Sequence, residues 1–413
     1  MAATARSARV PDVAIIGAGV IGLGIAWRLA QRGATVTVFD KGAAGAGASY
    51  AAAGMLAANV EAEPGEEALV MLGRTAQAAW PQFAAEVEEA SGIAVDLRRE
   101  GTLVVAPTAD DAARLRHLLE FQQALGLPVE WMSGRDARRR EPHLGQMAGA
   151  VFSPQDHQVD NRKVAAALQA AAEAAGAVIR EHTAVEDVLA THDRVMGIRL
   201  ADGTDVTAAA VVVAAGAWSR AIGGIAPPLR PPVRPVKGQM LALQMESPAP
   251  LIRHVVWGPN VYLVPRLDGR LIVGATVEEK GFDTTLTAGG VLALLEAAWR
   301  VVPAIEELPL GEMWVGHRPG SRDDAPILGP GPVAGLFYAT GHHRNGILLA
   351  PVTANAMARL IMDRELDAAI RPFGMERFAA AAAATGASPN LEQREIERPQ
   401  AAGRLEAASR TPT

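Results

Sequence analysis

Three glycines and an aspartate near the start of the chain have the spacing of a dinucleotide-binding site. Gly17, Gly19 and Gly22 stand in G-x-G-x-x-G order, and Asp40 follows them further along the chain. In this pattern the first glycine permits a tight turn, the second lets backbone approach a pyrophosphate, and the third allows close packing of a helix on a strand. The aspartate accepts hydrogen bonds from the hydroxyls of a ribose. The residues predict a dinucleotide site, and the alternative is an ordinary α/β turn.

The elements around these residues favour the dinucleotide site. The apolar run Val13–Ile16 predicts a buried parallel strand, and residues from about Val20 to Gln31 read as a helix that Gly33 ends. A second strand, Thr35–Phe39, then leads directly to Asp40. The N-terminus of the helix presents free N–H groups and the positive end of its dipole to the phosphates. Strand, turn, helix, strand and acid in this order are more specific than the glycines alone.

Composition excludes several classes of function. The 413 residues are 49% apolar and 20% charged with a net charge of −6, which fits a globular chain of two domains. No sustained cluster of Lys and Arg is present, which argues against nucleic acid as a partner. The lack of cysteine excludes disulfides, thiol nucleophiles and cysteine-ligated metals. Without a signal-like apolar segment or a long apolar run, we expect a cytoplasmic protein with no transmembrane helix.

The rest of the chain changes character along its length. Residues 41–56 are rich in Gly and Ala, which suits backbone wrapped around a ligand, although a flexible loop is the alternative. Residues 66–91 and 161–176 read as helices, whereas 142–159 read as irregular. Short alternating strands over 237–277 indicate an antiparallel sheet. A final helix is expected to run to about residue 362.

These elements predict a mixed α/β and α+β fold. It consists of a discontinuous Rossmann-like nucleotide-binding domain with an interleaved antiparallel-sheet substrate domain. The predicted nucleotide-binding domain comprises 11–85, 150–225 and 310–365, and the substrate domain comprises 86–149 and 226–309. Residues 379–413 have no periodic apolar positions, so we expect a disordered tail.

Several motifs together resemble one family. They are the GAGVIG turn with Asp40, AAAGML (51–56), PVKGQ (235–239), YLVPR (262–266), GRLIVGAT (269–276), HRPGSRDDAPILG (317–329) and GHHRNGILLAP (341–351). In this order, over about residues 11–365, they resemble the FAD-dependent D-amino-acid oxidase family. AAAGML, YLVPR and GHHRNGILLAP are most similar to its branch of glycine oxidases of the thiamine pathway.

The resemblance implies a two-domain enzyme with non-covalent FAD. It would oxidise glycine, and also sarcosine or small D-amino acids, to an imine that hydrolyses to glyoxylate or another 2-oxo acid and ammonia. Oxygen would become hydrogen peroxide, and the reaction would supply thiamine thiazole biosynthesis. A sarcosine or D-amino-acid oxidase or dehydrogenase is the alternative within the family, and a dinucleotide-binding regulatory module is the alternative outside it. We also expect a homo-oligomer.

Four side chains are candidates for binding the substrate. Because a hydride leaves the substrate Cα for the flavin, positioning does most of the work and no catalytic acid or base is assigned. The family resemblance places a carboxylate-binding arginine at Arg318, whose guanidinium can make two parallel bonds, and a tyrosine donor at Tyr262. Their alternatives are a surface arginine and a core tyrosine. Arg344 would be shared between substrate and flavin. Asn260, two residues before Tyr262 in an expected strand, should project to the same face.

The predicted cofactor contacts cluster in the motifs, and no metal is expected because nothing nearby completes a ligand set. They are Gly17, Gly19, Val20, Ile21, Gly22, Asp40, Lys41, Ala48, Ser49, Ala53, Gly54, Met55, Val185 and Gly216, with His342, His343, Arg344, Asn345, Gly346, Ile347 and Leu348 from the last turn and helix. Three positions depart from the family pattern. Tyr50 replaces a small hydroxyl residue, Asn260 a histidine and Val277 a methionine, and the last two changes alter the volume and polarity of the expected substrate pocket.

Overall fold

The computed structural model describes residues 12–246 and 249–378, so the predicted tail at 379–413 lies outside the described residues. Residues up to Gly374 group into one unit, and a second unit begins at Met375. The helices are α1 (Val20–Gln31), α2 (Ala48–Ala51), α3 (Glu67–Ser91), α4 (Ala109–Ala124), α5 (Gly134–Arg140), α6 (Asn161–Ala174), α7 (Ala288–Val301) and α8 (Gly346–Asp363).

The strands fall into two large sheets and two small ones. In chain order they are β1 (Val13–Ile16), β2 (Val36–Phe39), β3 (Met55–Leu56), β4 (Thr102–Ala106), β5 (Glu130–Ser133), β6 (Gly149–Ser153), β7 (His157–Gln158), β8 (Val178–Arg180), β9 (Val185–Ala190), β10 (Val195–Leu200), β11 (Asp205–Thr207), β12 (Ala210–Val213), β13 (Arg234–Gln244), β14 (Val255–Gly258), β15 (Val261–Pro265), β16 (Arg270–Gly274), β17 (Leu310–Gly320), β18 (Ile327–Pro330) and β19 (Leu336–Thr340).

A six-stranded sheet carries the predicted nucleotide-binding motif. Its strand order is β18-β19-β12-β1-β2-β8, and every pair except β18–β19 is parallel. Strands β1, β2 and β12 are buried along their whole length, as expected where helices cover a parallel sheet. Helix α1 packs against α6 and α8, and Trp27 meets Phe83 of α3 edge to face at 5.5 Å. The predicted Rossmann-like domain is confirmed.

An eight-stranded sheet forms the second layer of the architecture. Its order is β17-β13-β16-β15-β14-β4-β6-β5, antiparallel except for the β14–β4 pair. Helix α7 packs on it through Leu294, Ala298 and Val301, which are buried in the core of this sheet. The antiparallel sheet expected over residues 237–277 is therefore present, joined by strands from earlier and later in the chain.

One segment predicted to be irregular is a buried strand. Strand β6, within residues 142–159, lies between β4 and β5 with every residue buried. The prediction of irregular structure was wrong because these neighbours are distant in sequence. Both β6 and β17 belong to the eight-stranded sheet, although the predicted boundaries at 150 and 310 assign them to the nucleotide-binding domain. We propose that both strands belong to the substrate domain.

None of the helices in the described part of the chain, 12–246 and 249–378, is long and apolar enough to cross a membrane.

Candidate active site

A cavity of about 1240 Å³ lies between the two large sheets. One wall is formed by residues that follow the carboxyl ends of β1, β2, β12 and β19, and the other includes Met240, Tyr262 and Gly274 of the eight-stranded sheet. Because β12 and β2 flank β1 on opposite sides, the crevice sits at the point where strand order reverses. Open α/β sheets bind their ligands at this place.

The glycine turn has no room for side chains at two of its positions. Gly17 has φ +111°, and a Cβ there would lie 2.4 Å from the carbonyl oxygen of Ala214. A Cβ on Gly22 would lie 1.9 Å from the carbonyl oxygen of Gly17. The turn therefore packs tightly against the end of β12 at Gly17, which also lines the cavity, while Gly22 packs on the turn and does not line the cavity. These are the roles that the motif predicts for its first and third glycines.

Asp40 and Ser49 complete the entry to α1. The Ala18 N–H donates to Asp40 Oδ2 at 2.8 Å, and the Gly42 N–H donates to Oδ1 at 2.9 Å. Each carboxylate oxygen keeps acceptor capacity for a ribose hydroxyl. The Val20 N–H donates to Ser49 Oγ at 3.0 Å, so this hydroxyl caps the helix. The close-fitting backbone and the acid at the end of β2 fit a bound FAD.

The Gly- and Ala-rich segment 41–56 is held in place by Arg266, a residue for which the sequence predicts no role. Arg266 Nη2 donates to the Ala53 carbonyl and to Asn161 Oδ1, each at 2.8 Å, and Nη1 donates to the Val159 carbonyl. The side chain is 5% exposed, and burial lowers its pKa to about 10. Its only sequence signal was an arginine ending the apolar YLVPR strand.

Most of the predicted cofactor residues meet at the cavity. Its lining includes Gly17, Gly19, Val20, Ile21, Asp40, Lys41, Ala48, Ser49, Ala53, Gly54, Met55, Val185, Gly216, His342, His343, Arg344, Gly346 and Ile347. Three others do not line it. Gly22 packs on the turn, Leu348 is buried in the core with its carbonyl bound to Trp80 Nε1 at 2.9 Å, and Asn345 is buried at the N-cap of α8.

Arg318 and Tyr262 are neighbours in the lining of the cavity. The Arg318 side chain is half-buried, and its Nη1 donates to the Thr276 carbonyl at 3.1 Å. Within residues 12–246 and 249–378, no carboxylate pairs with this guanidinium. Burial raises the pKa of Tyr262, and the neighbouring Arg318 opposes the rise. The phenol therefore keeps its proton at neutral pH and can donate it in a hydrogen bond.

Two of the departures from the family pattern lie at the mouth of the cavity. Asn260 is in the turn before β15 with φ +60°, so the expectation that it shares a strand face with Tyr262 was wrong. It nevertheless lines the cavity, as does Val277, which is 73% exposed. Tyr50, the third departure, does not line the cavity. Its hydroxyl donates a hydrogen bond to Glu312 at 2.9 Å.

Arg344 lies at the start of α8 among acidic side chains. Its Nε forms an ion pair with Glu61 Oε2 at 2.8 Å, although the angle is too bent for a hydrogen bond. Its Nη2 is 3.6 Å from Glu66 Oε2 and 4.0 Å from Glu63 Oε1. Glu61 lines the cavity, and burial raises its pKa to about 7 against the pull of Arg344. Glu61 has no signal in the sequence, because a run of acids is typical of a solvated surface.

The two histidines of the last motif are neutral at pH 7. Burial lowers the pKa of His342 to about 3, and its Nε2 lies 3.2 Å from Thr353 Oγ1. Burial also lowers the pKa of His343 to about 4, with help from the positive charges of Arg318, Arg344 and Arg234, while Asp324 opposes the shift. In the described residues, no group of three or more metal-ligating side chains could hold an ion.

Comparison with known proteins agrees with this geometry. Residues 12–360 match the family model described as DAO, FAD dependent oxidoreductase. The chain is 40% identical to a glycine oxidase of Geobacillus kaustophilus, over 89% of this chain and 97% of the relative. It is 36% identical to a bifunctional protein ThiO/ThiG of Trichormus variabilis, over 91% of this chain but 56% of that relative.

A solved structure shares the architecture. The crystal structure of the glycine oxidase from Geobacillus kaustophilus superposes with a TM-score of 0.83 at 39% identity, covering 88% of this chain and 98% of that one. The family match extends over most of the chain, and the motif residues of this chain line one cavity. The chain belongs to the DAO family of FAD-dependent oxidoreductases.

Proposed function

We propose that this protein oxidises glycine with FAD. Glycine, oxygen and water would give glyoxylate, ammonia and hydrogen peroxide. The observation that carries the proposal is Arg318, a half-buried guanidinium in the cavity wall that has no carboxylate partner in the described residues. Such a group is stabilised by a bound carboxylate, and its planar fork matches that of an amino acid.

The neighbouring side chains support a small amino acid as the substrate. Tyr262 provides a second donor for the same carboxylate, and Met55, Met240 and Trp257 add apolar surface to the cavity. When bound, FAD supplies the hydride acceptor. The protein binds the substrate at its acid end and orients the Cα, which is positioning rather than acid catalysis.

We propose a role in thiamine thiazole biosynthesis for the same activity. Its support is the similarity to the bifunctional ThiO/ThiG proteins, about half of whose length this chain spans, together with the motifs AAAGML, YLVPR and GHHRNGILLAP. Oxidation of sarcosine or small D-amino acids is a second candidate. It is favoured by the exposed Val277 and Asn260, which leave the mouth of the cavity open.

The test measures peroxide release from glycine, sarcosine, D-alanine and D-proline by the FAD-loaded protein. We expect glycine to give the highest kcat/KM, because a site fitted to a bare Cα penalises added methyl groups. Bleaching of the flavin without peroxide would indicate a dehydrogenase, and no reduction by any of the four would leave only a binding module.

Arg318→Ala tests the residue that carries the proposal. The variant should keep its FAD and raise KM for glycine about 100-fold, since a charge-assisted bond to substrate is lost. An unchanged KM would remove Arg318 from the site.

A further inference from the structure

We propose that Glu61 accepts a proton from the ammonium group of the bound amino acid, a role that rests on the proposed function. Amino acids reach the enzyme as zwitterions, and an ammonium nitrogen has no lone pair to assist loss of a hydride from the adjacent carbon. A group in the cavity that removes this proton would make the substrate reactive.

Side chains of opposite charge line the cavity, which orients a zwitterion. Arg318 and Tyr262 present a cation and a hydroxyl donor to the substrate carboxylate. Glu61 lines the same cavity, near enough to Tyr262 for its charge to raise the pKa of the phenol, and its carboxylate attracts an ammonium group. The carboxylates of Glu63 and Glu66 lie within 4.0 Å of Arg344. Arg344 is thereby engaged by acids, whereas Arg318 remains available for the substrate.

Glu61 is held rigidly by the loop that carries it. Asp156 is fully buried and accepts hydrogen bonds from the Asn59 and Val60 N–H groups at 3.1 and 2.8 Å. It also accepts from Asn59 Nδ2 at 2.8 Å and from Gln77 Nε2 at 2.7 Å. These bonds fix the two residues before Glu61, whose side chain is 13% exposed with Oε2 buried beside Arg344. Such support is what a group that must meet its substrate requires.

The surroundings of Glu61 leave it able to gain and lose a proton near neutral pH. Burial raises its pKa to about 7, Arg344 lowers it, and the charges of Asp156, Glu66 and Glu63 raise it. Tyr262 faces the same space, since the Glu61 charge raises the pKa of the phenol. An acceptor with a pKa near the working pH is the most effective.

The proposed step is a proton transfer without a change of oxidation state. One N–H bond of the ammonium breaks as an O–H bond forms on the Glu61 carboxylate, and the electron pair stays on nitrogen. The bound substrate becomes a neutral amine with its carboxylate still held at Arg318. The proton leaves Glu61 for water after the product departs.

The test compares the pH dependence of kcat/KM for glycine in the wild type and in Glu61→Gln, both loaded with FAD. In the wild type kcat/KM should rise with pH through the Glu61 pKa of about 7 and level off roughly one to two pH units above it, as Glu61 loses its proton. In Glu61→Gln this limb should vanish. Activity at pH 7 should fall about 100-fold and recover steadily at higher pH, as a growing fraction of free glycine carries a neutral amine. Glu61→Asp keeps an acceptor and should keep the limb.

Two controls separate this role from a structural one. Glu63→Gln removes the same charge near Arg344 from a side chain that is 58% exposed and does not line the cavity. It should keep the pH-dependent limb, moved slightly to lower pH because the Glu63 charge raises the pKa of Glu61. Glycolate has the carboxylate but no amine, so its affinity, read from the flavin spectrum, should change less than twofold in Glu61→Gln.

Three outcomes decide between the interpretations. A wild-type pH profile in Glu61→Gln would overturn the proposal, as would a loss of glycolate affinity as large as the loss of kcat/KM, which would make Glu61 a support for Arg344. If the wild type itself oxidises no amino acid, the proposed function fails instead.

Discussion

The guanidinium of Arg318 lies over Gly238 on the neighbouring strand. A Cβ built on Gly238 would be 2.6 Å from Arg318 Nη1 and 2.8 Å from Nη2. The two strands pair in register, with Val236 opposite Arg318 and Gly238 opposite Gly316. The missing side chain at position 238 therefore gives the guanidinium the space in which it reaches the Thr276 carbonyl and lines the cavity.

Gly238→Ala should displace the Arg318 head from its substrate-binding position. The clash falls on the end of a flexible side chain, so the guanidinium will move before the β13–β17 backbone does. We expect KM for glycine to rise roughly 10- to 100-fold, the equivalent of losing one charge-assisted hydrogen bond, with FAD content unchanged. Steady-state kinetics with peroxide detection measure the effect.

Gly311→Ala is the matched control on the partner strand. A Cβ at Gly311 would meet only the Ala242 carbonyl oxygen, at 3.4 Å, which is an ordinary contact. This variant should keep the wild-type KM. Equal KM values for the two variants would show that the space over Gly238 does not position Arg318.

The nucleotide-binding half of the molecule was predictable because its signals are local. The turn Gly17–Gly22, helix α1 and Asp40 follow one another closely in the sequence. The backbone geometry of the turn explains the glycines, and the hydrogen bond from the Ala18 N–H explains the position of the acid. The pairing of β13 with β17 joins residues far apart in the chain, so no sequence window reveals that Gly238 faces Arg318.

The site residues that the sequence did not reveal share a physical cause. Glu61 belongs to an acidic segment that is typical of solvated surface, and only tertiary packing buries it beside Arg344. Arg266 ends an apolar strand, and its acceptors at Ala53 and Val159 come from two distant loops. Asn260 lines the cavity as predicted, but its left-handed φ places it in a turn and not in the predicted strand.

Arg266→Met should destabilise the protein and lower its FAD content. The substitution leaves the Ala53 and Val159 carbonyls and Asn161 Oδ1 without their donor, and it removes a cation that lowers the pKa of the nearby Asp160. Breaking a buried charged network of this kind costs about 3–5 kcal/mol. Since Ala53 lines the cavity, less FAD should co-purify, as measured by the ratio of flavin to protein absorbance.

Arg199→Met is the matched control for Arg266→Met, because it removes an arginine from an exposed ion pair with Asp205. It should leave both the thermal midpoint and the FAD content at wild-type values, because exposed pairs contribute little. Wild-type FAD content in Arg266→Met would mean that segment 41–56 keeps its shape without the guanidinium.

The neutral histidines predict a loss of stability on acidification. Burial lowers the pKa of His342 to about 3 and that of His343 to about 4, whereas both would titrate near 6.5 in the unfolded chain. The unfolded state therefore binds more protons below pH 6.5, and folding stability falls as pH drops from 6.5 toward these lower values. Between pH 7 and pH 5 each histidine should cost about 2 kcal/mol.

His342→Gln should remove about half of this histidine contribution. Urea unfolding of the FAD-loaded protein at pH 7 and pH 5 measures the fall in the free energy of unfolding, which should be about 2 kcal/mol smaller in the variant than in the wild type. Acids such as Glu61 and Asp156, whose pKa burial raises, are present in both proteins and cancel in the comparison. His192→Gln, at an exposed turn, should show the wild-type fall. An equal fall in His342→Gln and in the wild type would mean that His342 already takes up a proton in the folded protein by pH 5, so that α8 begins beside a positive charge at that pH.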